Sequence, residues 1–393
     1  MRILHVIRTL DPAWGGPVHG LMAVASAATK MGIQSEIVCL DNSDAPWLAA
    51  WNIPVHALGA AKSTYGFSGA LPKWLSNNVR GFDAVVIEGI WMYFGWAASR
   101  AAVKHKVPYF VFTHGTLHPW FERYRLKQIK KILYWRFFEH KVMRDATAVL
   151  FTTEQEKTAA HNSFRPYCCH PAVVGYGIAP PPPGNAEDKE SIIRRLTSSH
   201  PDLRNRPYLL FLGRITAKKG IDLLIESFSR VKHLFPHTAL VIAGPGDERF
   251  VNRLKTRASQ LGLDSHIVWT GPIYDAAKWQ LIRGAEAYLL PSHQENFGVS
   301  VAEALACGIP VLISNQVDIW PDIDRAGAGL VGTDDIPGII DLLSRWQALS
   351  ASEKQAMSIR AGSCFAANFD VSQSSRRLFD LIASHSRQEQ TVS

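Results

Sequence analysis

Three shortages bound what this chain can be. It has five cysteines among 393 residues, with Cys168 and Cys169 adjacent and the others scattered. That is neither a disulfide framework nor a zinc-ligand spacing, and it favours a reducing, cytoplasmic location. No apolar run approaches the roughly 20 residues of a membrane span. The opening Met1-Arg2-Ile3-Leu4-His5-Val6-Ile7 lacks the length and cleavage pattern of a signal peptide and reads as a first strand. Acidic residues are the third shortage: 34 Asp and Glu face 42 Lys and Arg, a net charge of +8. Such a balance suits anionic substrates or an anionic membrane face. Nucleic acid is not an expected partner, because no Cys/His zinc spacing or RNA-binding aromatic signature occurs.

What is present is a repeated alternation. Hydrophobic residues make up 47%, and the length allows two domains, each with its own core. Strand-length apolar runs fall at Ile3–Arg8, Ile33–Leu40, Ala84–Ile87, Tyr109–Thr113, Ala148–Thr152 and Ala172–Val174. They recur at Tyr208–Leu212, Leu240–Ala243, Ile267–Trp269, Ala287–Leu290 and Val311–Ile313. Segments of helical period lie between them, including Val18–Lys30, Phe94–His105, Asp222–Leu234 and Phe250–Leu261. The rhythm predicts an α/β protein of two doubly wound, Rossmann-like domains with parallel sheets, facing each other across a cleft. Residues 1–180 form the expected first domain and 206–368 the second. The linker is 181–205, entered through Pro180-Pro181-Pro182-Pro183-Gly184, with a polar helix expected over Glu187–Leu203. A final helix over about 369–393, with Leu378, Leu381 and Ile382 on one face, is expected to pack back on the first domain.

The stretch His293 to Pro310 carries the strongest chemical signal. Glu295 and Glu303 stand eight positions apart around Phe297-Gly298, between the runs Ala287–Leu290 and Val311–Ile313. Val299–Cys307 reads as a short helix, so Glu295 precedes it and Glu303 lies one turn inside. Its first backbone N–H groups lack intrahelical partners and favour an anion or a hydroxyl-rich ligand, which Gly298 lets approach closely. Two carboxylates beside such donors suit a sugar nucleotide, one for sugar hydroxyls and one for a ribose diol; the plain alternative is two surface glutamates. The loop Gly213-Arg214-Ile215-Thr216-Ala217-Lys218-Lys219-Gly220 follows the first strand of the second half. Arg214 offers a planar fork and Lys219 a point charge for phosphates, whereas Lys218 fits a solvated turn. In the first half Gly15-Gly16 opens the Val18 helix. This is not the spaced-glycine dinucleotide fingerprint, so a nicotinamide cofactor is not expected.

With these loops in this order, the chain resembles the retaining glycosyltransferases of family 4, with the two-domain GT-B fold, over nearly its whole length. Thr113-His114-Gly115-Thr116-Leu117-His118-Pro119-Trp120 is similar to a segment of members that build exopolysaccharides and envelope polysaccharides. The resemblance implies that Arg214 and Lys219 hold the donor diphosphate and stabilise the leaving charge. Glu303 would bind the ribose hydroxyls. Glu295, with the amides of Asn296, Phe297 and Gly298, would hold the donor sugar. Gly15 and Gly16 would bring a backbone amide to the phosphates, Ile273 would lie where the base is held, and His114 would lie near the sugar and the reacting carbon. Glu88 stands where many relatives have histidine and has no assigned role.

No metal or other cofactor is expected, since Arg214 and Lys219 can do the work of a cation. Asp322-Ile323-Asp324 matches a metal-binding pattern but reads as a surface turn, and His114 and His118 have no carboxylate nearby to complete a zinc set. From Phe121 to Arg144, eight basic residues meet only Glu122 and Glu139, while Leu126, Ile129, Leu133 and Phe137 recur at helical spacing. The stripe is expected to pack on the first domain, with membrane contact of the basic face as the functional alternative. The resulting expectation is transfer of a hexose, with UDP-glucose the best donor guess, to a saccharide or lipid-linked saccharide in polysaccharide synthesis. A nucleotide-sugar epimerase and a non-catalytic sugar-nucleotide-binding subunit are the alternatives.

Overall fold

The computed structural model describes residues 1–61, 63, 65–118, 125–182 and 206–388. The chain divides into two units: residues 1–177 with 371–393, and residues 178–370. The expected helix over Glu187–Leu203 and most of the linker lie outside the described residues.

Unit 1 carries a parallel seven-stranded sheet in the order β3-β2-β1-β4-β5-β6-β7. The strands are β1 Arg2–Val6, β2 Gln34–Cys39, β3 Val55–Ala57, β4 Ala84–Glu88, β5 Tyr109–Phe112, β6 Ala148–Phe151 and β7 Pro171–Val173. The central strands β4, β5 and β6 are buried along their length, as continuous apolar runs covered on both faces must be. Helices Gly16–Lys30, Ala70–Asn78, Tyr93–His105 and Glu154–His161 connect them. The last helix, Val371–Gln388, returns to this unit: Leu378, Phe379 and Ile382 pack with Ile3, Ala28, Ala84 and Phe110.

Unit 2 repeats the topology with six parallel strands in the order β10-β9-β8-β11-β12-β13. These are β8 Tyr208–Leu212, β9 Ala239–Ala243, β10 Ile267–Gly271, β11 Ala287–Leu290, β12 Val311–Ser314 and β13 Gly329–Gly332. In each sheet the order reverses once, between β1 and β4 and between β8 and β11. Loops leaving the carboxyl ends of those strand pairs diverge and leave a crevice for ligand.

Three expectations are corrected. Asp322-Ile323-Asp324 is not a turn but the middle of the helix Trp320–Ala326. Pro321 sits in the first turn, where its missing N–H costs nothing, Ile323 is fully buried, and Asp322 pairs with Arg325. Lys218 is half-buried rather than solvated, and its backbone carbonyl accepts from the His293 N–H at 2.9 Å. Burial pushes its ammonium pKa down, against the opposing attraction of Glu295. The apolar stripe of the basic segment is also not packed away at Ile129, Leu133 and Phe137; the side chain of Leu126 lies outside those described. The segment forms the helix Arg125–Tyr134, a π-helical turn Trp135–Glu139 and the helix His140–Arg144. Ile129, Ile132, Leu133 and Phe137 are 48–57% exposed, while Trp135, Glu139, Val142 and Met143 face the core. Trp135 lies two residues past Leu133 and so on the opposite face of the helix, and it is that face, continued by Glu139, Val142 and Met143, that packs inward.

Candidate functional site

The loops after β8 and β11, at the reversal point of the second sheet, carry the carboxylates and cations singled out above. After β8 the chain passes Gly213 and Arg214, makes a short 3-10 turn at Ala217–Lys219, and enters the helix Ile221–Val231 at Gly220. Gly220 adopts φ +66°, and a Cβ there would lie 2.1 Å from the Pro291 carbonyl oxygen. Glycine is therefore what lets the two loops touch.

Glu295 is fixed through its backbone. Its N–H donates to the Gln316 carbonyl and its carbonyl accepts from the Asp318 N–H, both at 2.8 Å. Its carboxylate is thereby presented to Lys219, whose ammonium it accepts. Gly298, at φ +74°, opens the helix Val299–Ala306. The Phe297 ring packs edge-on against Phe369 inside unit 2, which aims its backbone rather than its side chain at the loop. Within the helix, Glu303 accepts from the Lys278 ammonium at 2.6 Å. Lys278 belongs to the helix Asp275–Gly284, which begins two residues after Ile273, and also lies 4.4 Å from the Trp279 ring centre. Both carboxylates are thus paired with lysines, and all four side chains are 13–26% exposed. Among the described residues nothing pairs with the exposed guanidinium of Arg214. It flanks a groove shared with Thr216, Gly246, Asp247 and Phe250. The loop after β9 supports that groove: Gly244, at φ +135°, lets it approach the Gly213 carbonyl where a Cβ would be 1.9 Å away.

The remaining residues lie in unit 1, at the reversal point of the first sheet. Beyond β1, Gly15 takes φ +89° and caps the helix Gly16–Lys30. A Cβ on Gly16 would meet nothing within 4 Å. Neither packing nor backbone angle therefore requires glycine at 16. The Gly16 carbonyl accepts from the Tyr176 hydroxyl at 2.5 Å, and Gly20 makes room for that phenol, since a Cβ there would lie 2.0 Å from its oxygen.

His114, just past β5, has φ +46°, an uncommon angle for any residue but glycine. Its ring stacks on Phe112 at 5.2 Å and its Nε2 lies 3.0 Å from Glu88 Oε2. The other oxygen of Glu88 lies 2.9 Å from His5 Nδ1. Burial alone would push the Glu88 carboxyl up, but the hydrogen bonds of His114 and His5 outweigh it and bring it down to about 2. One small cavity is lined by Gly20, Glu88, His114, Tyr176 and Ser374.

Sequence reasoning missed the group that holds the His114 loop. Glu156, buried on the helix Glu154–His161, accepts from the Thr113 hydroxyl at 2.5 Å and the Gly115 N–H at 2.6 Å. It also takes the N–H and hydroxyl of Thr152, each at 2.7 Å. Lys278 was missed as well, and only its position after Ile273 could have flagged it. Among the described residues no His, Cys, Asp and Glu cluster could hold a metal ion, and no helix is long and apolar enough to cross a membrane.

Comparison with known proteins covers both halves. The model of the glycosyl transferase 4-like domain matches residues 15–168, and that of the glycosyl transferases group 1 matches residues 194–356. A phosphatidyl-myo-inositol mannosyltransferase of Mycobacterium leprae is 34% identical over 154 residues, 37% of this chain and 40% of that protein. A D-inositol 3-phosphate glycosyltransferase of Jonesia denitrificans is 25% identical over 209 residues, 51% of this chain and 48% of its own length. The chain thus spans about half or less of these curated relatives. Among solved structures, Anabaena HepE in complex with UDP and glucose superposes with a TM-score of 0.74 at 16% identity, covering 98% of this chain and all of that one. WaaG, a glycosyltransferase of lipopolysaccharide biosynthesis, has a TM-score of 0.67 at 16% identity, covering 97% of this chain and 99% of its own. These likenesses identify the GT-B fold.

Proposed function

Because this chain belongs to the family 4 glycosyltransferases, with the GT-B fold, we propose that it moves a hexose from a nucleotide-diphosphate sugar to a saccharide or lipid-linked saccharide, retaining configuration. The observation that carries the reading is the pair of carboxylate–lysine couples at the reversal point of the second sheet, Glu295–Lys219 and Glu303–Lys278. Each carboxylate is held ready for hydroxyls, and each lysine can turn to a phosphate or stay with its partner.

In this proposal Arg214 and Lys219 neutralise the diphosphate as it leaves, and no metal is required. Glu303 takes the ribose diol beside Ile273, which borders the base. Glu295 and the amides of Asn296, Phe297 and Gly298 take the donor sugar's hydroxyls. In unit 1, Gly15 and Gly16 are assigned to the phosphates, a role supported by the open space at Gly16, and His114 to the sugar. The acceptor oxygen bonds to the anomeric carbon on the face from which the phosphate departs, and its proton passes to a phosphate oxygen. UDP-glucose remains the best donor guess, with polysaccharide synthesis as the setting. HepE supports it by its UDP and glucose complex. A GDP-mannose-dependent relative of Mycolicibacterium smegmatis, 27% identical over 195 residues, makes GDP the nearest competitor.

The exposed stripe Ile129, Ile132, Leu133 and Phe137 beside Lys130 and Arg136 supports a peripheral contact with an anionic membrane. Sedimentation with anionic and with neutral vesicles tests it; equal binding to both would remove the electrostatic half of the reading.

Titration calorimetry with UDP-, GDP- and ADP-sugars in EDTA tests the donor site. Saturable binding of one nucleotide, weakened in both Lys219→Ala and Glu303→Ala, is expected. Unchanged donor affinity in both variants would overturn the site, and binding seen only when EDTA is left out would overturn metal independence.

A further inference from the structure

Three neighbouring strands deliver one buried cluster. His5 comes from β1, Glu88 ends β4, and His114 follows β5 by two residues. Because β1, β4 and β5 are adjacent in the sheet, the three side chains meet although 83 and 26 residues separate the histidines from Glu88. Each oxygen of Glu88 is engaged by one imidazole.

The three members differ in what they can still do. The His5 side chain is fully buried, and its Nε2 has no hydrogen-bond partner. A proton on that nitrogen would be a donor with no acceptor, at a cost of about 1–3 kcal/mol. His5 therefore donates from Nδ1 and keeps only a lone pair at Nε2. Glu88 is 7% exposed and ionised, so it can only accept. His114 is the member that reaches solvent, its side chain 11% exposed. With Nε2–H committed to Glu88, a neutral His114 carries its lone pair on Nδ1, and no described residue hydrogen-bonds that atom. The Tyr176 hydroxyl donates to the Gly16 carbonyl at 2.5 Å.

We propose that Glu88 is a positioning residue for His114: it sets the imidazole tautomer so that Nδ1, on the one member of the cluster that reaches solvent, is left as an acceptor for a substrate hydroxyl, and His5 locks Glu88 from behind. The inference rests on the reading of His114 as a donor-sugar residue. A carboxylate behind a histidine fixes its ring and its tautomer, and the left-handed backbone at His114 holds the ring over Phe112 in the orientation that Glu88 meets.

The test separates this inference from the functional reading. Full-length protein labelled with 15N in histidine, with His114 assigned by its loss in His114→Gln, reports which ring nitrogen carries the proton at about pH 8, above the imidazole range. Nε2–H on His114 is expected; Nδ1–H in the wild-type protein would overturn the proposal outright, whether or not transfer is detected. Glu88→Gln then offers one acceptor and one donor to two imidazoles. Buried His5 keeps the acceptor, so His114 is expected to invert to Nδ1–H. With the donor identified, kcat should fall roughly 10–100-fold while KM changes less than about threefold. Unchanged His114 shifts with kcat within twofold of wild type would also overturn it. Should Glu88→Gln fail to fold, the wild-type tautomer decides. An inverted tautomer in a protein that transfers nothing would sink the transferase reading and leave this inference standing.

Discussion

Glu139 lends itself to a quantitative test. It ends the π-helical turn, is 1% exposed, and accepts one hydrogen bond, from the Trp91 N–H at 3.1 Å; its Oε1 has no partner. Burial pushes its carboxyl up to about 8, against the lowering effect of Trp91. The native protein therefore keeps a proton that the unfolded chain releases near pH 4.5. A carboxyl raised in this way removes stability as pH rises, from its ordinary value through about 8. The slope is about 1.4 kcal/mol per pH unit, accumulating to about 5 kcal/mol. Glu139→Gln keeps the shape and an acceptor for Trp91 but cannot ionise. The variant and wild type should be equally stable near pH 5, and the variant should gain steadily above that. At roughly 2–4 °C per kcal/mol for a unit of this size, the gap in Tm should reach the order of 10 °C by about pH 8. Calorimetry of both proteins in parallel cancels every other titrating group. A Tm difference that stays constant from about pH 5 to 9 would refute the assignment of a neutral, buried Glu139.

Other substitutions probe the site loops. Lys278→Ala leaves Glu303 without its cation, and nucleotide affinity should drop about 3–10-fold, a loss on the scale of one partly buried ion pair; an unchanged Kd would mean that Lys278 does not set Glu303. Glu156→Ala removes the acceptor of four donors, two of them buried backbone N–H groups. It should cost about 3 kcal/mol or more in urea unfolding, and a loss under 1 kcal/mol would show that the His114 loop holds itself. Gly20→Ala drives a methyl into the Tyr176 phenol. A loss of about 1–3 kcal/mol is expected, and a fully stable variant would show that Tyr176 can move aside.

The sequence makes the parallel sheets legible because their central strands are apolar without interruption, from Tyr109 to Phe112 and from Tyr208 to Leu212. Two of the four edge strands escape this test, although the runs Ala172–Val174 and Ile267–Trp269 are found at the other two edges. Val55–Ala57 has three residues, all half-buried, and Gly329–Gly332 is half glycine. Glu295 and Glu303 stand out because local spacing around a turn carries the signal. Their pairing does not: Lys219, legible as a phosphate-binding cation, lies 76 residues from Glu295, and Lys278, which was not singled out, lies 25 from Glu303. The same holds for Glu88, visible as a polar strand end but without a reason until His5 is found 83 residues away. The stripe at Ile129, Leu133 and Phe137 shows a different limit: spacing identifies an apolar face but not which surface, if any, covers it.

The return of the final helix to unit 1 sets an order of events during synthesis. Ile3, Ala84 and Phe110 emerge early from the ribosome, yet Leu378, Phe379 and Ile382, which cover them, emerge only after all of unit 2. At ordinary synthesis rates unit 2 alone takes roughly 10–40 s to be made. The first half to be made must wait, with part of its core open to water, while the second half can close at once. Folding of unit 1 therefore finishes after unit 2 has been made, and truncations near residue 378 should expose the core of unit 1 rather than that of unit 2.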